Sequence, residues 1–346
     1  MKTLFDKTSM KNIDLKNRFI RSATWENRAL ENGSIDENII DIYCDLADGG
    51  VGLIITSYAY ITNEEKPNPR MLGIYDDSLI EVYTELVDTV HKKGSKIMMQ
   101  IVYGGSSASY NTESRTILGP SSVPNINKGT VPKEMSKDDI KHIVDSFSKA
   151  ALRCKIAGFD GVQIHGAHGY LLSQFLDPHH NKRTDEYGGS IENRSRIILE
   201  VYRAVRNSVS DDYHVGIKIN SSDNRDGGAT INDCLYTTKE LDKLGIDSIE
   251  VSGGGFYNLK GESYFKDDAS KVAASVNCPV ILVGGNRTVD NMNNILNNTN
   301  IEYFSMARPL IREPELINLY KEDNSYKPKC INCGNCMNVE KTCIFN

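Results

Sequence analysis

Lys141-His-Ile-Val-Asp-Ser-Phe-Ser-Lys-Ala-Ala-Leu-Arg-Cys-Lys-Ile-Ala-Gly-Phe-Asp-Gly-Val-Gln-Ile-His-Gly-Ala-His-Gly-Tyr170 holds the alternation that decides the fold. Its first half places Ile143, Val144, Phe147, Ala150, Ala151 and Cys154 at steps of three and four, which predicts an amphipathic helix from Lys141 to Ala157. Gly161 to His165 then reads as a short apolar strand. That strand runs into His165-Gly-Ala-His-Gly-Tyr170, two imidazoles and a phenol within six residues. Gly166 and Gly169, on either side of His168, let the backbone turn tightly enough to aim the rings into one space. Proton donors at the end of a strand form a candidate site. Taken alone, the run also fits ordinary polar loop residues.

The same alternation recurs along the chain. Strand-like runs lie at Arg18–Ala23, Val51–Thr56, Lys96–Val102, Gly161–His165, Val215–Asn220, Ser248–Ser252, Val280–Val283 and Tyr303–Met306. Helical patterns fall between and after them, at Glu37–Ala47, Leu79–Lys93, Ile191–Asn207, Ile231–Leu244, Ala269–Val276, Val289–Leu296 and Glu313–Tyr320. Ser190 with Glu192 and Asn193 marks one helix start, without a full capping box. Eight strand–helix units predict an α/β fold, a single parallel (β/α)8 TIM barrel, over an open doubly wound sheet. No Gly-x-Gly-x-x-Gly opens a helix near the start, which weakens the dinucleotide-fold alternative. A barrel takes about 250 residues. The surplus is an excursion from Tyr103 to Pro132, a loop from Asp177 to Gly189 and a cysteine-rich end. The expected division is a barrel over 1–322 with elaborated loops and a short tail over 323–346.

The composition narrows the class further. With 346 residues, 39% hydrophobic and 25% charged, the chain reads as globular. A net charge of −6 and a pI near 5.7 argue against a nucleic-acid partner. No apolar run approaches the roughly 20 residues that span a bilayer. Met1-Lys-Thr-Leu-Phe-Asp-Lys7 has no apolar export region, so a cytoplasmic location is expected. Cys44, Cys154, Cys234 and Cys278 sit in apolar segments as small hydrophobes, whereas Cys330, Cys333, Cys336 and Cys343 crowd into the last seventeen residues. In a cytosolic chain such a cluster points to a metal before disulfides.

Barrel sites form at the C-terminal ends of the strands, and the last two units often take a phosphate. Gly284-Gly285-Asn286 follows the seventh strand and Ala307-Arg308-Pro309 the eighth. Glycines let backbone N–H groups approach phosphate oxygens, and a guanidinium pairs with them bidentately. Two glycines at a strand-to-helix turn are the plainer reading.

His165 to Arg196, densest in Gln174-Phe-Leu-Asp-Pro-His179 and Arg183-Thr-Asp-Glu-Tyr-Gly-Gly-Ser-Ile-Glu-Asn-Arg194, closely resembles the core motif of the Old Yellow Enzyme family of FMN-dependent oxidoreductases. The likeness runs from Leu15-Lys-Asn-Arg18 to Arg308-Pro-Leu310. It implies FMN at the barrel mouth, hydride from NADH or NADPH, and ping-pong reduction of the C=C bond of an enone-type substrate. By the same resemblance, His165 and His168 hold the substrate carbonyl oxygen and Tyr170 gives a proton to the α-carbon. The chemistry agrees: hydride addition to the β-carbon drives charge onto that oxygen, and two N–H donors stabilise it. An unperturbed phenol, with a pKa of about 10, is protonated at neutral pH. A metal pair is the competing use of His-x-x-His, but no third ligand follows at a persuasive spacing. Gln100 resembles the residue that bonds the flavin's pyrimidine edge, its amide offering a donor and an acceptor. Lys218 stands where the family commonly has an arginine near flavin N1, supplying the charge without the planar fork. Ser22, Ala23 and Thr24 occupy the loop that cradles the isoalloxazine, and the Gly284–Gly285 and Ala307–Arg308 turns complete the cofactor set.

The chain also departs from the family pattern. Trp25 replaces a small Thr or Cys, Tyr58 a small residue near the flavin, and Tyr103-Gly-Gly a His-Ala-Gly. The tail, Cys330-x2-Cys333-x2-Cys336-x6-Cys343, is similar to the iron–sulfur segment of the 2,4-dienoyl-CoA reductase branch, with shorter spacing and without that branch's second flavin and nucleotide domain. Four thiolates suit a [4Fe–4S] cluster, and zinc or unligated thiols remain alternatives. Two functional expectations follow: a self-contained ene-reductase, able to form a homo-oligomer, or an FMN/iron–sulfur electron-transfer subunit reduced by a separate partner protein. A flavin-free barrel aldolase or isomerase would leave the FMN-like set unexplained.

Overall fold

The computed structural model describes residues 1–256, 259–337 and 341–345. Eight parallel strands close into a barrel: β1 (Phe19–Arg21), β2 (Leu53–Tyr60), β3 (Lys96–Val102), β4 (Gly161–Gly166), β5 (His214–Asn220), β6 (Ser248–Ser252), β7 (Val280–Val283) and β8 (Ile301–Met306). Each pairs with its successor, and β8 closes on β1 with Phe304 opposite Phe19 and Met306 opposite Arg21. Helices α1 (Glu37–Asp48), α2 (Ile80–Lys92), α3 (Lys137–Ile156), α4 (Arg196–Val209), α5 (Ile231–Lys243), α6 (Lys266–Ala273), α7 (Val289–Asn298) and α8 (Leu316–Glu322) form the outer ring. The expected (β/α)8 architecture is therefore present. Its strands read as unbroken apolar runs because both of their faces are buried, as all four residues of β7 are.

The boundaries differ where the first helical turn is polar. Capped by Thr230 and Asp233, α5 begins at the predicted Ile231, whereas a capping box between Ser136 and Asp139 opens α3 at Lys137, four residues before the predicted Lys141. Likewise α6 begins at Lys266, before the predicted Ala269. The predicted Ile191–Asn207 helix is two helices, Ile191–Arg194 and α4, and the Ser190 side chain makes no capping bond. Glu313 is no helix start. It is 1% exposed, and its carboxylate accepts from Tyr326 Oη at 2.6 Å, tying the tail to the barrel.

The barrel interior is stratified. At its N-terminal end Ile20, Leu53, Ile55, Met98, Ile281 and Tyr303 pack with Met10, Ile13 and Leu15. The last three belong to a hairpin, Thr8–Met10 with Ile13–Leu15, that plugs this end. Two residues further along the inward face, the strands change to polar side chains: Gln100 above Met98 on β3, and Ser305 above Tyr303 on β8. The apolar plug closes one end, and the buried polar side chains lie towards the other, the C-terminal mouth.

Much of the long motif is a loop lock. Arg183 donates to the carbonyls of Pro120 (3.0 Å) and Met135 (2.7 Å) and grips Asp185 with two nitrogens. Arg194 donates to Gly189 O, Leu176 O and Asp233. A Cβ on Gly188 would lie 2.1 Å from the Arg183 carbonyl oxygen, so only glycine fits. The run thereby staples the Asp177–Gly189 loop to the Tyr103–Pro132 excursion. Among the described residues no helix is long and apolar enough to cross a membrane.

Two substitutions test the outer ring. A Cβ on Gly49, which caps α1, would stand 1.9 Å from the Pro314 carbonyl oxygen. Gly49→Ala is expected to lower stability by about 3 kcal/mol, because backbone must move to admit it. Ser136→Ala, which removes the α3 cap, is expected to cost about 1 kcal/mol. Urea unfolding followed by circular dichroism measures both.

Candidate active site

His165 ends the inward face of β4 and is 2% exposed. Its ring lies 5.5 Å from that of His168, nearly perpendicular, and 4.9 Å from that of Tyr170. His168 adopts φ 59°, a left-handed conformation that costs a non-glycine residue about 1–2 kcal/mol. Asn220, the last residue of β5, holds it there by accepting the His168 N–H at 3.2 Å. Ser252, the last residue of β6, lies 2.8 Å from His168 Nε2. The strained turn thus brings both imidazoles and the phenol to one place, as the spacing implies.

Burial, reinforced by His168 and then Lys218, holds the His165 pKa well below its usual value. Burial, then the Lys218 charge, pushes His168 down to about 3. Both rings are therefore neutral at neutral pH. The Nδ1 of His165 is buried with no partner, an unsatisfied polar atom at the mouth of the barrel.

Beside the histidines runs a buried polar belt. Gln100 donates to Gln163 (2.7 Å), and Gln163 donates to Glu250 (2.8 Å). Ser22 and Ser305 donate to the same Glu250 oxygen at 2.8 and 2.6 Å. Lys218 donates to Ser22 Oγ at 2.7 Å and lies 3.5 Å from Glu250. Burial lowers the Lys218 pKa, Glu250 opposes that shift, and Arg21 adds to it. Of this belt, Gln100, Lys218 and Ser22 are sequence-predicted. Gln163, Glu250 and Ser305 were missed, although a carboxylate inside Ser248-Ile-Glu-Val-Ser252 is itself a signal of a buried polar contact.

The other expected residues are distributed unevenly. Ala23, Thr24 and Trp25 follow β1, and Thr24 Oγ1 donates back to Ser22 O at 3.0 Å. Trp25 and Tyr58 pack, with Tyr170, against Tyr60, Met71 and Val102, forming an aromatic wall. The Lys341 ammonium sits 4.6 Å from the Trp25 ring centroid, so the tail reaches the first-strand loop. Tyr103 has turned into the main core, and only its backbone meets the site segment, accepting Leu171 N–H at 3.1 Å. Gly284 and Gly285 follow β7 with φ 105° and 76°. Tyr264 and Phe265 already occupy the space their Cβ atoms would need. Ala307 leads into a short helix, Arg308–Arg312, and Arg308 donates to Tyr264 Oη at 2.8 Å. The Gly–Gly turn is thus demanded by aromatic packing whether or not a phosphate binds there.

Cys330, Cys333, Cys336 and Cys343 line a single hollow beside Arg308 and Arg312, and all four are free thiols. Among the described residues, no three His, Cys, Asp or Glu side chains gather around a point where one ion could bind. The expected iron–sulfur or zinc site is therefore not formed by the placement of these thiols. Burial, then the neighbouring Cys330, raises the Cys336 pKa.

Comparison with known proteins extends the geometry. Residues 3–325 match the family model of the NADH:flavin oxidoreductase / NADH oxidase family. An NADPH dehydrogenase of Clostridium acetobutylicum is 33% identical over 325 residues, 91% of this chain and 93% of that protein. An NADH oxidase of Thermoanaerobacter brockii is 34% identical over 96% of this chain, which spans only 52% of that relative. The Old Yellow Enzyme homologue of Zymomonas mobilis has the same fold, with a TM-score of 0.83, 24% identity and 94% of each chain covered. With a barrel closed in the same way and a family match over nearly its whole length, the chain belongs to the NADH:flavin oxidoreductase / NADH oxidase family.

Proposed function

We propose that this chain is an ene-reductase, reducing the C=C bond of α,β-unsaturated carbonyl compounds with FMN at the barrel mouth and NADH or NADPH as reductant. The observation that carries the reading is the convergence of His165, His168 and Tyr170, with a buried, unpartnered His165 Nδ1 among them. A carbonyl oxygen placed there would satisfy that atom.

The mouth fits a flat, mixed donor–acceptor cofactor. Gln100 and Lys218 present an amide and a cation on one buried belt, while Ser22, Ala23, Thr24, Trp25 and Tyr58 line the neighbouring strand ends. Arg308, with the Gly284–Gly285 turn and Ala307 beside it, would hold the phosphate, sharing its guanidinium with the Tyr264 hydroxyl. Held by these residues, FMN would supply the hydride-transfer chemistry between the nicotinamide and the substrate β-carbon.

The protein's own residues perform the remaining chemistry. Neutral imidazoles each carry one N–H and no net charge, so they donate to the carbonyl oxygen and strengthen as it becomes an enolate. Tyr170 delivers the proton to the α-carbon. The polar belt keeps Lys218 paired with Glu250, and there the ammonium would offer a bound flavin a positive charge. A second reading, an electron-transfer subunit with an iron–sulfur cluster and a partner protein, rests on four cysteines sharing one hollow. Among the described residues no three metal-ligating side chains gather around one point, which makes it the weaker reading.

Absorbance of protein purified without oxygen, with iron and sulfide assays, tests both readings. Flavin bands without iron are expected. No flavin after incubation with FMN would sink the ene-reductase reading, and about four irons per chain would favour the second. Tyr170→Phe is expected to leave flavin reduction by NAD(P)H intact and to slow enone reduction about 100-fold. Stopped-flow measurement of the two half-reactions separates these effects.

The depressed histidine pKa values also predict a pH dependence of stability. In the unfolded chain both histidines protonate near pH 6.5, whereas the fold holds them neutral, so falling pH favours the unfolded state. Their contribution is full above about pH 6.5 and is lost progressively towards about pH 3, where His168 protonates in the fold. Between about pH 7.5 and about pH 5, the native protein should lose more stability than a His165→Asn/His168→Asn variant in urea unfolding. Equal losses would mean that the imidazoles titrate normally.

A further inference from the structure

The proton donor is held by a side chain far from it in sequence. Asn68, in the loop after β2, is 6% exposed, and its Nδ2 lies 3.3 Å from Tyr170 Oη and 3.4 Å from Tyr58 Oη. Its other amide atom is engaged as well, because Ser109 Oγ donates to Asn68 Oδ1 at 2.6 Å. The backbone beneath is pinned: Pro67 O accepts the N–H of Ser109 at 2.7 Å and that of Tyr110 at 3.2 Å. With the acceptor turned to Ser109, the two N–H groups of Asn68 face the two phenol oxygens, whose rings lie 5.4 Å apart.

We propose that Asn68 is a positioning residue for proton delivery, donating to the Tyr170 oxygen and stabilising the phenolate that delivery leaves behind. The inference rests on the proposed acid role of Tyr170. In that step the Tyr170 O–H bond breaks and its electron pair stays on the oxygen. The π pair of the enolate's C=C bond takes that proton to form the C–H bond at the α-carbon, a lone pair of the enolate oxygen re-forms the C=O bond of the saturated product, and solvent returns a proton to the phenolate. A hydrogen bond donated to the charged form makes the acid stronger. Ser109 orients the amide so that it donates. The Tyr103–Pro132 excursion, which carries Ser109, thereby acts on the chemistry without touching substrate.

The test uses the full chain loaded with FMN, reduced anaerobically and mixed with cyclohexenone, with flavin reduction measured separately. Asn68→Leu is expected to slow flavin reoxidation about tenfold, with a larger solvent isotope effect and flavin reduction within about twofold of normal. Asn68→Asp keeps the size but places an acceptor and a charge beside the phenol, so it should be slower still. In a Tyr170→Phe background, Asn68→Leu should add nothing, because no phenolate forms there. An equal tenfold loss in that background would reduce Asn68 to a structural strut, and unchanged reoxidation in Asn68→Leu or Asn68→Asp would overturn the inference. Should Asn68→Leu fail to fold, Ser109→Ala supplies the test, with about a threefold loss expected from a freed amide and none if the orientation is irrelevant. If Tyr170→Phe itself reoxidises normally, the acid assignment fails, whatever Asn68 does.

Discussion

A buried carboxylate organises the mouth of this barrel. Glu250 is 0% exposed, and taking such an ion out of water costs several kcal/mol unless hydrogen bonds replace its hydration. Here the replacements come from four strand ends: Ser22 after β1, Gln163 from β4, Lys218 from β5 and Ser305 from β8. Each must present its side chain inward at one height, so the Glu250 bonds constrain strand register as well as charge. They also decide what Lys218 can do. A lone ammonium at this depth would shed its proton, and the nearby carboxylate opposes that loss. The belt thus keeps the Lys218 cation beside its compensating carboxylate inside the barrel.

The same low-dielectric setting has the opposite consequence for the histidines. Lys218 lies opposite His165 in the strand register, and its charge, added to burial, disfavours imidazolium. Neutrality suits the oxygen binding proposed for this pair, because a permanent cation would bind the starting carbonyl as well as the enolate and gain less rate from the difference. The φ of 59° at His168 is a strain that Asn220 and Ser252 hold in place, and both are terminal residues of neighbouring strands. Closing the barrel is therefore what makes the turn affordable.

The architecture was legible in the sequence because strands buried on both faces leave continuous apolar runs, and eight such runs with intervening helices admit few folds. Polar residues inside those runs were legible only in part. Gln100 and Lys218 stood out by resemblance, while Gln163 and Glu250 passed as strand members. The hairpin at Thr8–Leu15 escaped because three-residue strands show too little alternation, although its apolar residues seal the barrel floor. Helix starts were misplaced where polar residues led into the apolar stripe, as at Lys137 and Lys266. Asn68 offered no sign of its link to the site, because Ser109 and Tyr170 lie 41 and 102 residues away. Of the readings from motif density, the Arg183–Arg194 run proved to serve loop fixation more than chemistry.

The departures at Trp25 and Tyr58 now have a common physical reason. Two large rings in place of small residues could not stand separately at a strand end without exposing apolar area. Instead they pack with Tyr170 on Tyr60, Met71 and Val102, a wall built from β2, β3 and the loop that follows β2. The loop that completes the wall also carries Asn68, so shape and proton delivery share one support. Glu65, earlier in that loop, accepts the Gly104 N–H at 3.0 Å, and burial pushes its pKa up to about 7. Contacts of this kind join the loop after β2 to the excursion after β3 along its length, from Glu65 with Gly104 to Asn68 with Ser109. A change in either loop would therefore alter the phenol's environment before it altered the histidines, which hang from β4 and are steadied by β5 and β6. The imidazole pair and the phenol thus have separate mechanical supports within one site, so the proposed oxygen binding and proton donation would respond to different substitutions.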